Sequence, residues 1–210
     1  VEGFEETDSS LSVRLEGGER LETDMVVLAL GVVPDTGLAK EAGLTLGGRG
    51  AIVVNDRMET SAPDIYAVGD AVQITHAVTG DPAWVPLAGP ANKQGRIAAD
   101  NISGRDSRFD GSQGTSILRV FDMTVAATGL NERAAEAAGY RFDKVVTFSP
   151  SHATYYPGAS NMTIKTVFER GSGRILGAQI VGFEGADKRI DVLAAAVRGQ
   201  MGAADLAELE

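Results

Sequence analysis

Asp70 follows a short apolar run in "TSAPDIYAVGDAV", residues 60–72. A carboxylate placed after glycine at the carboxyl end of a strand faces the crevice where open α/β sheets hold nucleotides, and there it can accept hydrogen bonds from sugar hydroxyls. The same acid can equally finish a loop, so position alone leaves both roles open. Tyr155 and Tyr156 in "SHATYYPGA" form a second pair. A phenol can donate a hydrogen bond or a proton. Two adjacent tyrosines can also simply pack at an interface, with Pro157 and Gly158 making a turn. Lys188 and Arg189 fall in the first turn of an expected helix, where cations oppose the dipole. Asp187 and Asp191 are expected to satisfy them locally. His76 and His152 share no metal-ligand spacing and are given no catalytic role. "RGSGR" (170–174) reads as a hairpin turn rather than a phosphate loop, because no strand-to-helix setting surrounds it.

The elements that must position these residues follow from periodicity and turn chemistry. "LSVRLE", the "GG" at 17–18 and "ERLETD" predict a hairpin. "MVVLAL" from Met25 is apolar on both faces and predicts a strand in the centre of a sheet. "TGLAKEAG" is a turn or two of helix closed by Gly43, "GAIVVND" a short strand, and Ile65 to Val68 an apolar strand leading to Asp70. "PLAGPANKQGRIAADNISG" (86–104) predicts a helix with Gly89 as N-cap, Pro90 in the first helical position and Gly104 beyond the end. Leu87, Ala91, Ile97, Ala98 and Ile102 make no strong amphipathic stripe and predict a buried, small-residue helix. The polar, glycine-bearing stretch from Arg105 to Gly114 marks a domain boundary, giving domains at 1–110 and 111–210. Beyond it come strands near Leu118 and Val125, a helix capped by Asn131 and ending at Gly139, and strands at "KVVTF", "NMTIKTVFE" and "RILGAQIVG". A last helix, capped by Asp187, puts Ile190, Leu193, Ala194 and Val197 on one face. The second half is therefore an α+β unit with an antiparallel sheet.

Composition restricts the function. The 210 residues carry a formal charge of -10, which disfavours a nucleic-acid or anionic-membrane partner. No apolar run reaches the roughly 20 residues of a membrane span, and the acidic start lacks the pattern of a secretion signal, so a soluble, cytoplasmic protein is expected. There is no cysteine, which removes disulfides, thiolate metal sites and a cysteine nucleophile from this span.

"TSAPDIYAVGDAV" followed by "WVPLAGPANKQGRIAADNISG" closely resembles the second flavin-binding motif of the two-dinucleotide-domain flavoprotein reductases. "HATYYPGA", "LGAQIVG" and "GADKRIDVLAAAV" are similar to the dimerisation domain of one branch, the coenzyme A-disulfide reductases, NADH oxidases and persulfide reductases. The resemblance covers essentially the whole chain. It implies an α/β remnant of a Rossmann-like dinucleotide-binding flavoprotein domain, then an α+β dimerisation domain. It further implies FAD held through Gly69, Asp70 and Ala71 and through Pro86, Leu87, Ala88 and Gly89, whose helix start would favour negative charge on the flavin pyrimidine edge. Tyr155 or Tyr156 would reach the partner subunit's site and serve a leaving thiolate. Residues 115–210 would form a homodimer.

The implied reaction carries electrons from NAD(P)H through FAD to a coenzyme A disulfide, a persulfide or oxygen. Neither glycine-rich diphosphate fingerprint nor the redox cysteine of such a reductase occurs here. The expectation is a C-terminal fragment, inactive alone, with little hold on FAD. The alternative is a non-catalytic α/β interaction module.

Overall fold

The computed structural model describes residues 1–209. The chain divides into a unit spanning Val1–Val33 and a unit from Pro34 onward. In the first, β1 (Gly3–Glu6), β2 (Leu11–Arg14) and β3 (Arg20–Thr23) form an antiparallel meander. The predicted hairpin is there, and β1 adds a third strand through pairs such as Phe4 with Val13. "MVVLAL" is not the expected buried strand. Met25 to Leu30 have no strand partner among the described residues, and Leu30 is 92% exposed. Apolar composition suits a central strand, but a strand exists only where neighbours take up its N–H and C=O groups.

In the second unit, α1 (Gly37–Glu41) is followed by Gly43 in the left-handed region, as expected. Three short strands then make a small sheet: β4 (Ile52–Val53) runs parallel to β5 (Val72–Thr75), which pairs with β6 (Pro82–Ala83). Ile65 to Val68 do not form a strand. Only an isolated bridge joins Glu59 to Tyr66, and Ile65 and Val68 are 43% and 39% exposed. The strand lies after the acid instead, because Val72 and Ile74 alternate inward onto Met58, Ile97, Ala98 and Phe109.

The long helix α2 (Ala88–Ile102) starts two residues before the expected point, with Leu87 as N-cap instead of Gly89. Its buried face is Gln94, Ile97, Ala98 and Asn101, whereas Ile102 is 66% exposed. Asn101 is buried because it is satisfied: Nδ2 donates to the carbonyls of Arg57 (3.1 Å) and Ser107 (2.8 Å), and Oδ1 accepts the Ser107 N–H.

The boundary segment is bonded along its length. Phe109 is buried in the first core and its N–H donates to the Asp56 carbonyl, while Ser112 exchanges backbone bonds with Thr75 and Ala77. Gly111 sits at φ +78°, packed so closely that a Cβ would run into the Thr75 carbonyl. On the far side, Gln113 Nε2 donates to Thr128 Oγ1 (2.9 Å) and the Ala194 carbonyl (2.8 Å).

The carboxyl-terminal lobe is a five-stranded antiparallel sheet built from β7 (Ser116–Val120), β8 (Met123–Gly129), β9 (Phe142–Pro150), β10 (Asn161–Glu169) and β11 (Ile175–Gly182), in the order β7-β8-β11-β10-β9. α3 (Glu132–Ala137) is capped as predicted, Asn131 accepting the Ala134 N–H at 2.9 Å. α4 (Ala186–Arg198) lays Ala186, Ile190 and Leu193 on Ala126, Met162, Ala178 and Ile180. Its N-cap is Gly185 at φ +78°, so Asp187 stands inside the first turn rather than capping it. α5 (Ala203–Ala207) follows. The opposite face of the sheet is uncovered: Leu118, Val125, Val181, Thr163 and Phe148 pair successively across it, and all the apolar members are exposed.

Candidate functional site

Residues Gly69–Ala71 form a single 3-10 turn between the extended Val68 and β5. Gly69 adopts φ +86°, a conformation that glycine reaches without strain. Two side chains hold the turn. Gln94, 1% exposed on α2, accepts the Gly69 N–H at 2.7 Å, and the indole N–H of Trp84 donates to the Asp70 carbonyl at 2.6 Å. With its backbone held on both sides, the turn presents the Asp70 side chain outward. That carboxylate is exposed and forms no hydrogen bond among the described residues.

Pro86 and Leu87 lead into α2. Leu87 is extended and its N–H is taken by the Val85 carbonyl, but its apolar side chain cannot cap the helix. Ala88 and Gly89 are exposed, and a Cβ added at Gly89 would meet nothing. The first amides of a fifteen-residue helix thus open outward without a cap, an arrangement that favours a partial negative charge. α2 also packs on the Gly69–Ala71 turn. The predicted residues Gly69, Asp70, Ala71, Pro86, Leu87, Ala88 and Gly89 are therefore brought to one neighbourhood.

Tyr155 and Tyr156 stand elsewhere, on the 151–160 loop between β9 and β10. Their rings lie 4.9 Å apart with planes at 41°, and they are 83% and 62% exposed. Ser151 and Ser160 close the loop by two hydrogen bonds, of 2.8 and 3.2 Å. Among the described residues neither phenol is hydrogen-bonded to the Asp70 region. His152 bonds only the Ala153 carbonyl. His76 is half-buried; burial pushes its imidazole below the ordinary range, with Asp81 partly opposing, and its Nδ1 accepts from the N–H groups of Val78 and Thr79. Lys188 and Arg189 are exposed, and the expected ion pairs with Asp187 and Asp191 are absent among the described residues. Long side chains in water hold such exposed pairs too weakly to fix them.

Gln94 and Trp84 are the site residues that periodicity missed. Their available signals were an amide that shares a helix face with Ile97, Ala98 and Asn101, and the only tryptophan of the chain.

Residues 1–95 match the family described as pyridine nucleotide-disulphide oxidoreductase, and residues 115–209 match the dimerisation domain of the same family. The chain belongs to this family. Among its curated relatives, the NAD(P)H sulfur oxidoreductase (CoA-dependent) of Pyrococcus abyssi is 37% identical over 193 residues, which cover 87% of this chain and 43% of the relative. The coenzyme A disulfide reductase of Staphylococcus aureus is 35% identical, covering 94% of this chain and 45% of that protein. Among solved structures, the NAD-dependent persulfide reductase from A. fulgidus superposes with a TM-score of 0.92 at 41% identity, over 99% of this chain and 38% of that one. The chain thus spans less than half the length of each. These likenesses agree with the expected mixed architecture, a Rossmann-like flavoprotein part followed by a domain with an antiparallel sheet. Among the described residues no helix is long and apolar enough to cross a membrane.

Proposed function

We propose that this chain is the carboxyl-terminal part of an FAD-dependent reductase that carries electrons from NAD(P)H to a coenzyme A disulfide, a persulfide or oxygen. The observation that carries the reading is the doubly held Gly69–Ala71 turn, which offers an unengaged carboxylate beside an uncapped helix start. These groups fit a flavin: Asp70 can accept hydrogen bonds from ribityl hydroxyls, and the amides of Ala88 and Gly89 can donate to the polar edge of the ring system. Bound there, FAD would supply the redox chemistry that no side chain of this sequence possesses. The chain's own task is then to orient that group and to exclude water behind Trp84 and Leu87. The sequence contains no cysteine, so disulfide exchange would rest on residues outside it. In the longer protein, Asp70→Ala is expected to weaken FAD retention roughly tenfold, the loss of one charge-assisted pair of hydrogen bonds. Flavin absorbance after gel filtration measures it, and unchanged retention would overturn the assignment.

Residues 115–210 are proposed to form a homodimer through the uncovered sheet face, with the domain division near residue 110. Support comes from the match to the dimerisation domain and from the exposed row Leu118, Val125, Val181 and Phe148. A contiguous apolar face of this kind marks an interface in a water-soluble protein. Tyr155 and Tyr156 would reach across that dimer, where either phenol can donate a proton to a leaving thiolate. Val181→Asp with Leu118→Asp should convert dimer to monomer in sedimentation equilibrium. A dimer persisting in the double variant would refute the interface.

A further inference from the structure

We propose that the cleft between α2 and the 108–115 segment binds a phosphate-bearing anion, held by Lys93 and Arg96. The cleft encloses about 500 Å³, and of the residues proposed for the flavin only Gly89 lines it. One wall is a face of α2 that projects Lys93 and Arg96 three residues apart. The other carries Arg108, Asp110 and Ser112, with Arg198 at the end of α4.

Charge separates this cleft from the rest of the surface. The whole chain has 29 acidic and 19 basic residues, yet four bases and a single acid line the cleft. The acid is already engaged, because Arg198 bonds both the Asp110 carbonyl (3.0 Å) and its carboxylate (3.2 Å). Arg108 is held by Asp56 at 2.7 Å. Lys93 and Arg96 form no ion pair among the described residues. Two like charges three residues apart on one helix face repel each other, and an anion bridging them removes that cost.

The donor set favours phosphate over a carboxylate. An arginine fork and a lysine ammonium match the several oxygens of a phosphoryl group. Ser112 Oγ accepts the Gly114 N–H at 3.1 Å, which leaves its own proton for an anionic oxygen. The volume exceeds what one bare phosphate fills, so the phosphate belongs to a polyphosphate or to a nucleotide-sized molecule.

The test is a titration of the 210-residue chain at low ionic strength with inorganic pyrophosphate and, separately, ADP, followed by amide chemical shifts. Saturable shifts confined to residues 89–97 and 108–115 are expected, with roughly tenfold weaker binding for the Lys93→Gln/Arg96→Gln double variant. Arg119→Gln, an exposed arginine on β7, removes a comparable charge and should leave the affinity unchanged. Both cleft residues are exposed, so the rest of the variant's spectrum should be undisturbed. Equal affinity for both ligands assigns the site to a free polyphosphate, and clearly tighter ADP binding assigns it to a nucleotide. Absence of localised shifts, or equal weakening by Arg119→Gln, would overturn the proposal.

Discussion

Ile190→Ala is expected to lower the unfolding free energy by about 2–5 kcal/mol, measured by urea denaturation with an unchanged slope. Ile190 is fully buried on α4 and fills the gap between the helix and the sheet. Its neighbours include Ala126, Ala178 and Ala186, side chains too short to move into the space it would leave. Ala126 and Ala178 also sit on paired strands whose backbones are fixed by the ladder, so the cavity stays open and its lining loses contacts outright. Val192→Ala on the same helix is the control. Its side chain is half exposed, and the cost should stay within about 0.5 kcal/mol. Equal losses at the two positions would mean that helix propensity, not packing, governs α4.

Gln94→Leu should cost about 1–3 kcal/mol, because it keeps the volume but leaves the Gly69 N–H without its acceptor. The functional loss should exceed the thermodynamic one. Gln94 does not reach outward itself; it fixes the turn on which Asp70 stands, so the variant should show weakened flavin retention in the longer protein even where it remains folded. A Gln94→Glu substitution retains an acceptor oxygen and should restore part of the stability. Full stability in Gln94→Leu would show that water satisfies the amide and that Trp84 alone holds the turn.

The carboxyl-terminal lobe was the most legible part of the sequence, since Gly139 and the Gly171–Gly173 turn punctuate its elements and its strand segments are rich in β-branched residues. Asn131 announced its helix by the side-chain chemistry of a cap. The amino-terminal half misled in a consistent way. "MVVLAL" and Ile65–Val68 have the composition of central strands, but pairing is a property of neighbours and cannot be read from the segment itself. The same fault moved the strand relative to Asp70. The α2 face was misread for another reason: Gln94 and Asn101 are buried polar groups justified by partners 25 and 44 residues away, which helical periodicity does not register. The residues proposed to face a flavin were picked from the sequence, whereas Gln94 and Trp84, which brace the Gly69–Ala71 turn, came only from the folded structure.

The segment from Arg105 to Gly114 was read as a boundary by composition, and its bonding gives it a mechanical character that composition hides. Phe109 is anchored in one core, Gly111 is pressed against Thr75, and Gln113 grips Thr128 and Ala194 in the other lobe. A hinge would allow the lobes to reorient, but this strip works as a suture. Force or displacement applied at the open sheet face would therefore be transmitted to β5 and the Asp70 turn beside it, rather than being absorbed in a slack linker.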